Sequence, residues 1–442
     1  MNRLLKNTSW IIFNQVFQML VSFIVGLLTI RYLGPSNYGS ITYIASYITF
    51  FSAVTLMGLD TVVVNRLVQY KERDGEVVYS AILLRCIMSL VCMGLLALLV
   101  KLVDAGDEEL FLVAILSSFE LLFKSFGTIG FYYQYKLESK KTTLADMVAF
   151  TLASLFRIWL LVTHKSVYWF AFYNSLLYLF IALFYVPMFH QDCVHKKTAT
   201  LAMMKELLHA CMPYFFSGIM IALYTQVDRI MIKHLLDSKA QVGLYSAAVV
   251  ICHLVSFVPN SISLSARPVL MAMKQQESKD YMLRVTQVVA SIIWFSIAYA
   301  LFITLFAPII IGRLYGDAYL PVINVLRLLV WCTIFENLTK IRDMWLIGEN
   351  LSRYVTLFSA LGTILNILLN YVFIQSIGII GAALATVLTQ LCVTLIVPMF
   401  FDTTKPFSMC IVDGLRLKNI KLKVLINEII GSVLGKGGEV HD

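Results

Sequence analysis

Thirteen ionisable side chains lie inside stretches of this 442-residue chain that are otherwise apolar. The cations are Arg85, Lys124, Arg157, Arg229, Arg327, Lys340 and Arg342, and the anions are Asp60, Glu120, Asp146, Asp228, Glu336 and Asp343. A guanidinium offers a planar fork of donors that grips phosphate through two bonds, and an ammonium acts as a point charge. Carboxylates in the same setting are suited to carry a proton or a sodium ion. The spacing groups these residues. Glu120 and Lys124 are one helical turn apart on one face. Glu336, Lys340 and Asp343 form a second stripe, and Asp146 and Arg157 share a face about 16 Å apart along a helix axis. Asp228 and Arg229 are adjacent. Such stripes predict a water-filled path lined by several helices, because an ionisable group within an apolar span normally faces a cavity or a partner. Arg85, Lys124, Arg157, Arg229 and Lys340 are the candidates for holding an anionic headgroup. Asp60, Glu120, Asp228 and Glu336 are the candidates for ion coupling or gating. The plainer alternative is that each pair neutralises itself and only fixes helix packing. Asp60, Arg85, Arg342 and Asp343 lie near helix ends and have the further alternative of reaching the membrane interface. Seven cations against six anions is close to balance, so charge alone does not select an anionic substrate.

The elements that must position these groups are long apolar helices. Hydrophobic residues make up 59% of the chain and charged residues 14%, against about 45–50% and 25% in soluble domains. Mean hydropathy is +0.80. Apolar runs of about 20 residues recur throughout, each long enough to cross a bilayer as a helix. The expected spans are about 9–30, 40–64, 80–103, 110–133, 142–163, 167–189, 207–235, 241–262, 285–311, 322–347, 353–375 and 378–400. The fold class is therefore an all-α integral membrane protein. It has about twelve transmembrane helices, six per half: 1–189, a cytoplasmic linker at 190–206, and 207–400. Residues 401–442 form a cytoplasmic tail, in which Leu415, Leu422, Leu425, Ile426 and Ile429 fall near one helical face. An interfacial helix and an unstructured tail are both open readings there. Arg3 and Lys6 before the first apolar stretch resemble a signal peptide, but the stretch is too long and is broken by Asn14, Gln15 and Gln18, so a retained first helix is expected.

The formal net charge of +9 follows from topology rather than nucleic-acid binding. With the N-terminus inside, inner segments carry about 22 Lys and Arg and outer loops about 6, which places both termini in the cytoplasm. The eight cysteines show neither CxxC pairs nor metal-ligand spacing, and those within spans read as small hydrophobes. No phosphate loop, HExxH or GxSxG appears, so neither an enzyme nor a cofactor or metal is expected. His209 and His253 are isolated and read as structural. Pro213, Pro259 and Pro308 interrupt or end helices. Asn366, Asn370 and Gln390 are placed to bond across helices. Tyr168, Trp169, Tyr185 and Trp345 suit interfacial belts.

The second half opens like the first. Leu207–Ala248 is an apolar helix, a polar turn, and then Gly243-Leu-Tyr-Ser-Ala-Ala248. A weaker copy comprises Leu4–Thr29, the turn Arg31–Asn37, and Tyr38-Gly-Ser-Ile41. Two similar membrane halves suggest a transporter with its site between them.

Arg31-Tyr-Leu-Gly-Pro-Ser-Asn-Tyr-Gly39 followed by Met57-Gly-Leu-Asp60 resembles the opening of the Wzx-type polysaccharide flippases. These are the O-antigen and capsule repeat-unit transporters of the multidrug/oligosaccharidyl-lipid/polysaccharide exporter superfamily. Gln226-Val-Asp228-Arg-Ile-Met, Leu314-Tyr-Gly-Asp317-Ala-Tyr, Asn366-Ile-Leu-Leu-Asn370 and Gly378-Ile-Ile-Gly-Ala-Ala-Leu-Ala-Thr386 agree in order and spacing. The resemblance covers about residues 1–400. It implies two six-helix bundles around a central cavity, in the bacterial cytoplasmic membrane. It also implies ion-driven alternating access that moves undecaprenyl-diphosphate-linked oligosaccharide to the outer leaflet for O-antigen, lipopolysaccharide or capsule synthesis. The implied partners are membrane lipid, that lipid-linked oligosaccharide, and the polysaccharide polymerase with its chain-length machinery. Asp60, Asp228 and Asn370 match motif positions, which adds Asn370 to the coupling or gating set. A drug or metabolite antiporter of the same superfamily is the alternative.

Overall fold

The computed structural model describes residues 2–193, 195 and 198–416. Every regular element among them is helical: α1 (Asn2–Leu56), α2 (Leu59–Gln69), α3 (Asp74–Val103), α4 (Glu108–Lys124), α5 (Ile129–Tyr135), α6 (Ser139–Val162), α7 (Val167–Ala171), α8 (Tyr173–Asp192), α9 (Leu201–Leu236), α10 (Lys239–Cys252), α11 (Phe257–Gln275), α12 (Tyr281–Leu314), α13 (Val322–Leu329), α14 (Cys332–Gly348), α15 (Ser352–Ile377), α16 (Ile379–Leu391) and α17 (Lys405–Gly414). Helices satisfy their own backbone groups, as an apolar solvent requires.

Among the described residues nine helices are long and apolar enough to cross a membrane, or up to eleven if each bent pair is one span. The difference from the expected twelve lies in Phe13–Gln69, a run of 57 residues counted once. It would be roughly 85 Å long as one straight rod, against a hydrocarbon core of about 30 Å. It is not one rod. Gly34 has φ 69° and ψ 172°, a conformation that an L side chain resists, and Pro35 restarts the helix behind it. The turn expected at Arg31–Asn37 is this break. Counted as two crossings, the run brings the upper tally to twelve.

Two of the three prolines lie at bends and the third does not. A 45° bend separates Leu201–Phe216 from Gly218–Leu236, just after Pro213. A 46° bend separates α10 from Phe257–Ser263, the segment that contains Pro259. Pro308 breaks nothing: α12 runs through it from Tyr281 to Leu314. The expectation of an interruption there is corrected.

The chain divides into two compact units, Met1–Ile230 and Met231–Asp442. The division falls inside α9 rather than in the linker at 190–206, and side chains account for this. Asp192 accepts hydrogen bonds from Tyr133 (2.8 Å) and Lys141 (2.7 Å). Glu206 accepts from Tyr70 (3.1 Å) and pairs with Arg66 (3.1 Å). These contacts bind the linker and the start of α9 to the first unit.

Each unit has its own buried core. In the first, Leu59, Val63 and Leu67 of α2 pack with Val77 and Val78 of α3, Tyr132 and Tyr133 of α5, Phe189 of α8 and Leu207 of α9. In the second, Val289, Ile292 and Ile293 of α12 pack with Ile341 and Leu346 of α14, Phe358 of α15 and Phe407 and Ile411 of α17. The helix formed by the first part of the tail is thus part of a core. Of the tail residues expected on one helical face, all but Leu415 lie outside the described residues. Leu102, Leu305, Leu368 and Val162 stay widely exposed, which suits a lipid-facing surface. All eight cysteines are free thiols.

Candidate functional site

In the first unit the embedded charges gather on facing helices. Arg85 of α3 is 5% exposed, and its Nη1 donates to the Thr128 hydroxyl at 2.9 Å. Its Nε is buried without a hydrogen-bond partner. Asp60, at the start of α2, is exposed and lies within electrostatic range of Arg85. On α4, Lys124 pairs with Glu120 at 2.5 Å, as the four-residue spacing predicts, and stands 4.8 Å from the centre of the Tyr178 ring. Arg85 is within electrostatic range of Lys124. Neither Arg85 nor Glu120 reaches an interface, since both are buried in the protein. The interfacial reading is therefore set aside for Arg85.

Helix α8 supplies partners that the sequence did not reveal. Its Tyr178 faces Lys124, its Tyr185 donates to Asp146 of α6 at 2.8 Å, and its Tyr173 lies 4.6 Å beneath the Arg157 guanidinium. Tyr185 is 5% exposed, so its assignment to an interfacial belt is corrected. The reason is that a tyrosine on an apolar helix satisfies its hydroxyl wherever a polar partner stands opposite, and α6 presents one. Asp146 and Arg157 do share α6, but they belong to separate contacts, one at each end of α8. The heptad spacing of Tyr178 and Tyr185 was the available signal.

Among the described residues Arg157 makes no ion pair, and its buried Nε has no hydrogen-bond partner. Tyr38 of α1 lies within electrostatic range of both Arg157 and Arg229. Arg229 donates to Gln226 on its own helix, and Asp228 beside it is buried. The first unit therefore holds Asp60, Arg85, Glu120 and Lys124 in one group, and Tyr38, Arg157 and Arg229 in another. Arg85 and Arg157 each have an unpartnered Nε and, among the described residues, no carboxylate bound to them. A buried arginine such as Arg85 is costly on its own and favourable once an anion arrives, and half-buried Arg157 shares the effect in part.

The second unit departs further from expectation. Glu336 and Lys340 do not form a salt bridge: Lys340 is exposed and lies only within electrostatic range of Glu336. Glu336 turns instead to the thiol of Cys332, whose Sγ donates at 3.5 Å, and to His253, whose Nδ1 is 3.6 Å from its second oxygen. His253 caps the end of α10, so a neighbouring helix supplies what the i,i+4 residue does not. His253 is therefore not isolated, contrary to what the sequence suggested. The pair borders a pocket of about 260 Å³, partly open to solvent, with Ser296, Tyr299, Thr333 and Asn337 on its walls. Asp343 pairs with Arg342 at 2.7 Å, and Arg342 also donates to the Val393 carbonyl at 2.7 Å and lies over the Phe358 ring. At 1% exposure Arg342 is interior, not interfacial. Val393 lies in a wide π-type turn, Cys392–Ile396, where the helical bonding is loosened and a carbonyl is open to an outside donor. Asn370 donates to Asn366 at 2.9 Å along the same helix. Trp345 is also buried rather than belted. No group of three metal-ligating side chains occurs among the described residues.

A helical membrane chain with cationic interior groups in its first unit narrows the comparison with known proteins. The model of a polysaccharide biosynthesis protein family matches residues 4–274, more than half of the chain. The chain belongs to that family. The MatE family model matches residues 213–372. No curated protein sequence matches the chain. Among solved structures, the lipid II flippase MurJ in an inward closed conformation superposes with a TM-score of 0.73 at 13% identity, covering 97% of this chain and 93% of its own. An inward-facing multidrug resistance MATE family transporter gives 0.65 at 15% identity, with 96% of each chain covered. A transporter of the MOP superfamily from Pyrococcus furiosus, described as having a binding pocket of reversed polarity, gives 0.62 at 14%, covering 96% of this chain and 97% of its own. The fold is that of these all-α, two-lobed transporters.

Proposed function

We propose that this chain is a flippase that carries undecaprenyl-diphosphate-linked oligosaccharide repeat units from the inner to the outer leaflet of the bacterial cytoplasmic membrane, for O-antigen or capsule synthesis. The observation that carries the reading is a pair of arginines in the first unit, Arg85 buried and Arg157 half-buried, each with an unpartnered Nε and, among the described residues, no bound carboxylate. A diphosphate brings the charge and the acceptor oxygens that these guanidinium groups lack, and charge-assisted bonds of this type are about twice as strong as neutral ones. Lys124 and Arg229 add positive charge to the same unit. The polysaccharide biosynthesis family match and the resemblance to a lipid II flippase fold support the same substrate class.

Movement proceeds by alternating access. The driving ion acts at Glu336, which the His253 imidazole faces across the pocket of the second unit. Protonation or cation binding at that carboxylate changes the charge of the pocket without altering the cations of the first unit. The bias of Lys and Arg among the loops supports an orientation with both termini in the cytoplasm. The downstream partners are the polymerase and chain-length machinery that consume the exported unit.

One alternative has specific support. The MatE match over residues 213–372 covers the Glu336–His253 pocket, which favours an ion-coupled drug or metabolite antiporter. The lipid-linked sugar pool of a deletion strain separates the two. The flippase reading requires repeat units to accumulate on the cytoplasmic leaflet and surface polysaccharide to disappear. Normal polysaccharide with altered sensitivity to small toxic molecules would sink it.

A further inference from the structure

The surroundings of Glu336 bear on which ion drives transport. Two donors face its carboxylate from different helices. The Cys332 thiol stands 3.5 Å from Oε1, and His253 Nδ1 stands 3.6 Å from Oε2. The His253 side chain is 47% exposed and that of Glu336 22%, so the imidazole is the more accessible of the pair. His253 follows the last turn of α10, where the chain leaves the helix until α11 begins at Phe257 with a 46° bend. The C-terminal end of a helix carries partial negative charge. The imidazole therefore has negative charge on two sides, the end of α10 and the Glu336 carboxylate.

This setting suits a proton better than a metal cation. A hard cation takes several oxygen ligands around it. Here a ring nitrogen and a sulfur hold the two places beside the carboxylate oxygens. Asn337 turns its amide nitrogen to the Ser296 hydroxyl at 3.2 Å. The enclosed part of the pocket is the size of one water molecule, enough to bridge a 3.6 Å gap between two polar atoms. The other titratable side chains on its walls are the buried Cys252 thiol and Tyr299, whose hydroxyl donates to the Ile251 carbonyl. Lys340, one turn beyond Glu336 on α14, lies within electrostatic range of it, as does Cys252. Among the described residues Arg267 and Lys274 of α11, Arg327 of α13 and Arg353 of α15 do not line the pocket, and α16 carries no titratable side chain.

We propose that the driving ion is a proton and that His253 relays it to Glu336. The inference rests on the reading of Glu336 as the coupling site. An incoming proton adds to the neutral imidazole and gives an imidazolium. The Nδ1–H bond then breaks as an O–H bond forms on Oε2 of Glu336, through one bridging water. The ring returns to its neutral form and the carboxylate becomes a neutral carboxylic acid. Release runs the same steps in reverse. Histidine suits the relay because its charge changes between about pH 5 and pH 8.

The test uses the purified full-length chain in vesicles, stepped from about pH 8 to pH 5 in sodium-free potassium buffer, with infrared difference spectroscopy on the carboxyl bands. A carboxylate band is expected to give way to a protonated carboxyl band, and Glu336→Gln is expected to lack that change. Sodium added at constant pH leaves the bands as they were. His253→Asn slows the change but keeps its amplitude, and 4-methylimidazole in the buffer restores the rate, which it would not do for a histidine that only packs. A Glu336 band that responds to sodium, or that does not titrate over this range, would overturn the proposal. So would an unchanged rate in His253→Asn. None of these readings needs a lipid-linked sugar. In the same vesicles a pH gradient without sodium is expected to drive transport. Transport that follows a sodium gradient and ignores pH would overturn the proposal and leave the flippase reading standing. A titrating Glu336 in a protein that moves no lipid-linked sugar would support the proton site and count against the flippase reading alone.

Discussion

Replacing Arg157 by methionine separates a substrate contact from a structural one. The substitution keeps an unbranched apolar stem but removes the guanidinium, with its charge and its contact with the Tyr173 ring. The present contact with the Tyr173 ring, at 4.6 Å, is worth about 0.5–2 kcal/mol as a cation–π interaction. Against it stands the cost of holding a cation with an unpaired Nε inside the unit. Replacing a buried charge by an apolar side chain of similar volume is commonly neutral or stabilising by about 1–4 kcal/mol. The two effects offset each other, so the thermal midpoint of Arg157→Met in detergent is expected to stay within a few degrees of the parent. Transport is expected to behave differently. If the guanidinium makes one or two charge-assisted bonds to the diphosphate, its loss removes about 1.5–3 kcal/mol of binding. That corresponds to a fall of roughly 10- to 150-fold in affinity. The assays are thermal unfolding of the purified variant and restoration of surface polysaccharide in a deletion strain. A variant that unfolds well below the parent, or one that is as stable as the parent and fully active, would refute the reasoning.

Other substitutions separate the remaining roles. Arg342→Met should destabilise the protein by about 1–3 kcal/mol, because it leaves the half-buried Asp343 carboxylate without its cation and the buried Val393 carbonyl without its donor; unfolding measurements check this. Gly58→Ala should lower the thermal midpoint and the yield. Its φ is +84°, and the new carbon would stand 2.3 Å from Cβ of Tyr214, so strain and overpacking each add about 1–3 kcal/mol. Glu336→Gln should leave substrate binding intact and remove the response of transport to an imposed ion gradient. His253→Asn should weaken that response while keeping some of it, measured in the same vesicles.

The sequence conveyed what depends on one element at a time. Apolar runs separated by turns marked the spans, and the Gly34-Pro35 break is visible as the motif Leu33-Gly-Pro-Ser36. The Glu120–Lys124 pair was legible because both groups sit on one helix face and nothing stronger competes for them. The Glu336–Lys340 pair has the same spacing and does not form, since a thiol one turn back and an imidazole at the end of another helix take the carboxylate. Spacing on one helix cannot register what a neighbouring helix offers. The same limit hid Tyr173, Tyr178 and Tyr185, whose partners lie on α6 and α4. It also hid the burial of Arg342, which depends on a π-type turn in a different span. Of the candidate residues, Arg85, Glu120, Lys124, Arg157, Asp228, Arg229, Glu336 and Asn370 are at least partly buried, as expected of interior groups, whereas Asp60 and Lys340 are exposed.

The most direct test of the flippase reading is reconstitution of the purified chain into vesicles that contain a fluorescent undecaprenyl-diphosphate oligosaccharide on both leaflets. A membrane-impermeant reducing agent then bleaches the outer pool. The account predicts that an ion gradient draws the protected inner pool outward, so that bleaching passes half and approaches completion, and that Arg85→Met with Arg157→Met stops it at half. Bleaching that stops at half with the active parent protein, while the same vesicles export a small cationic dye, would contradict it.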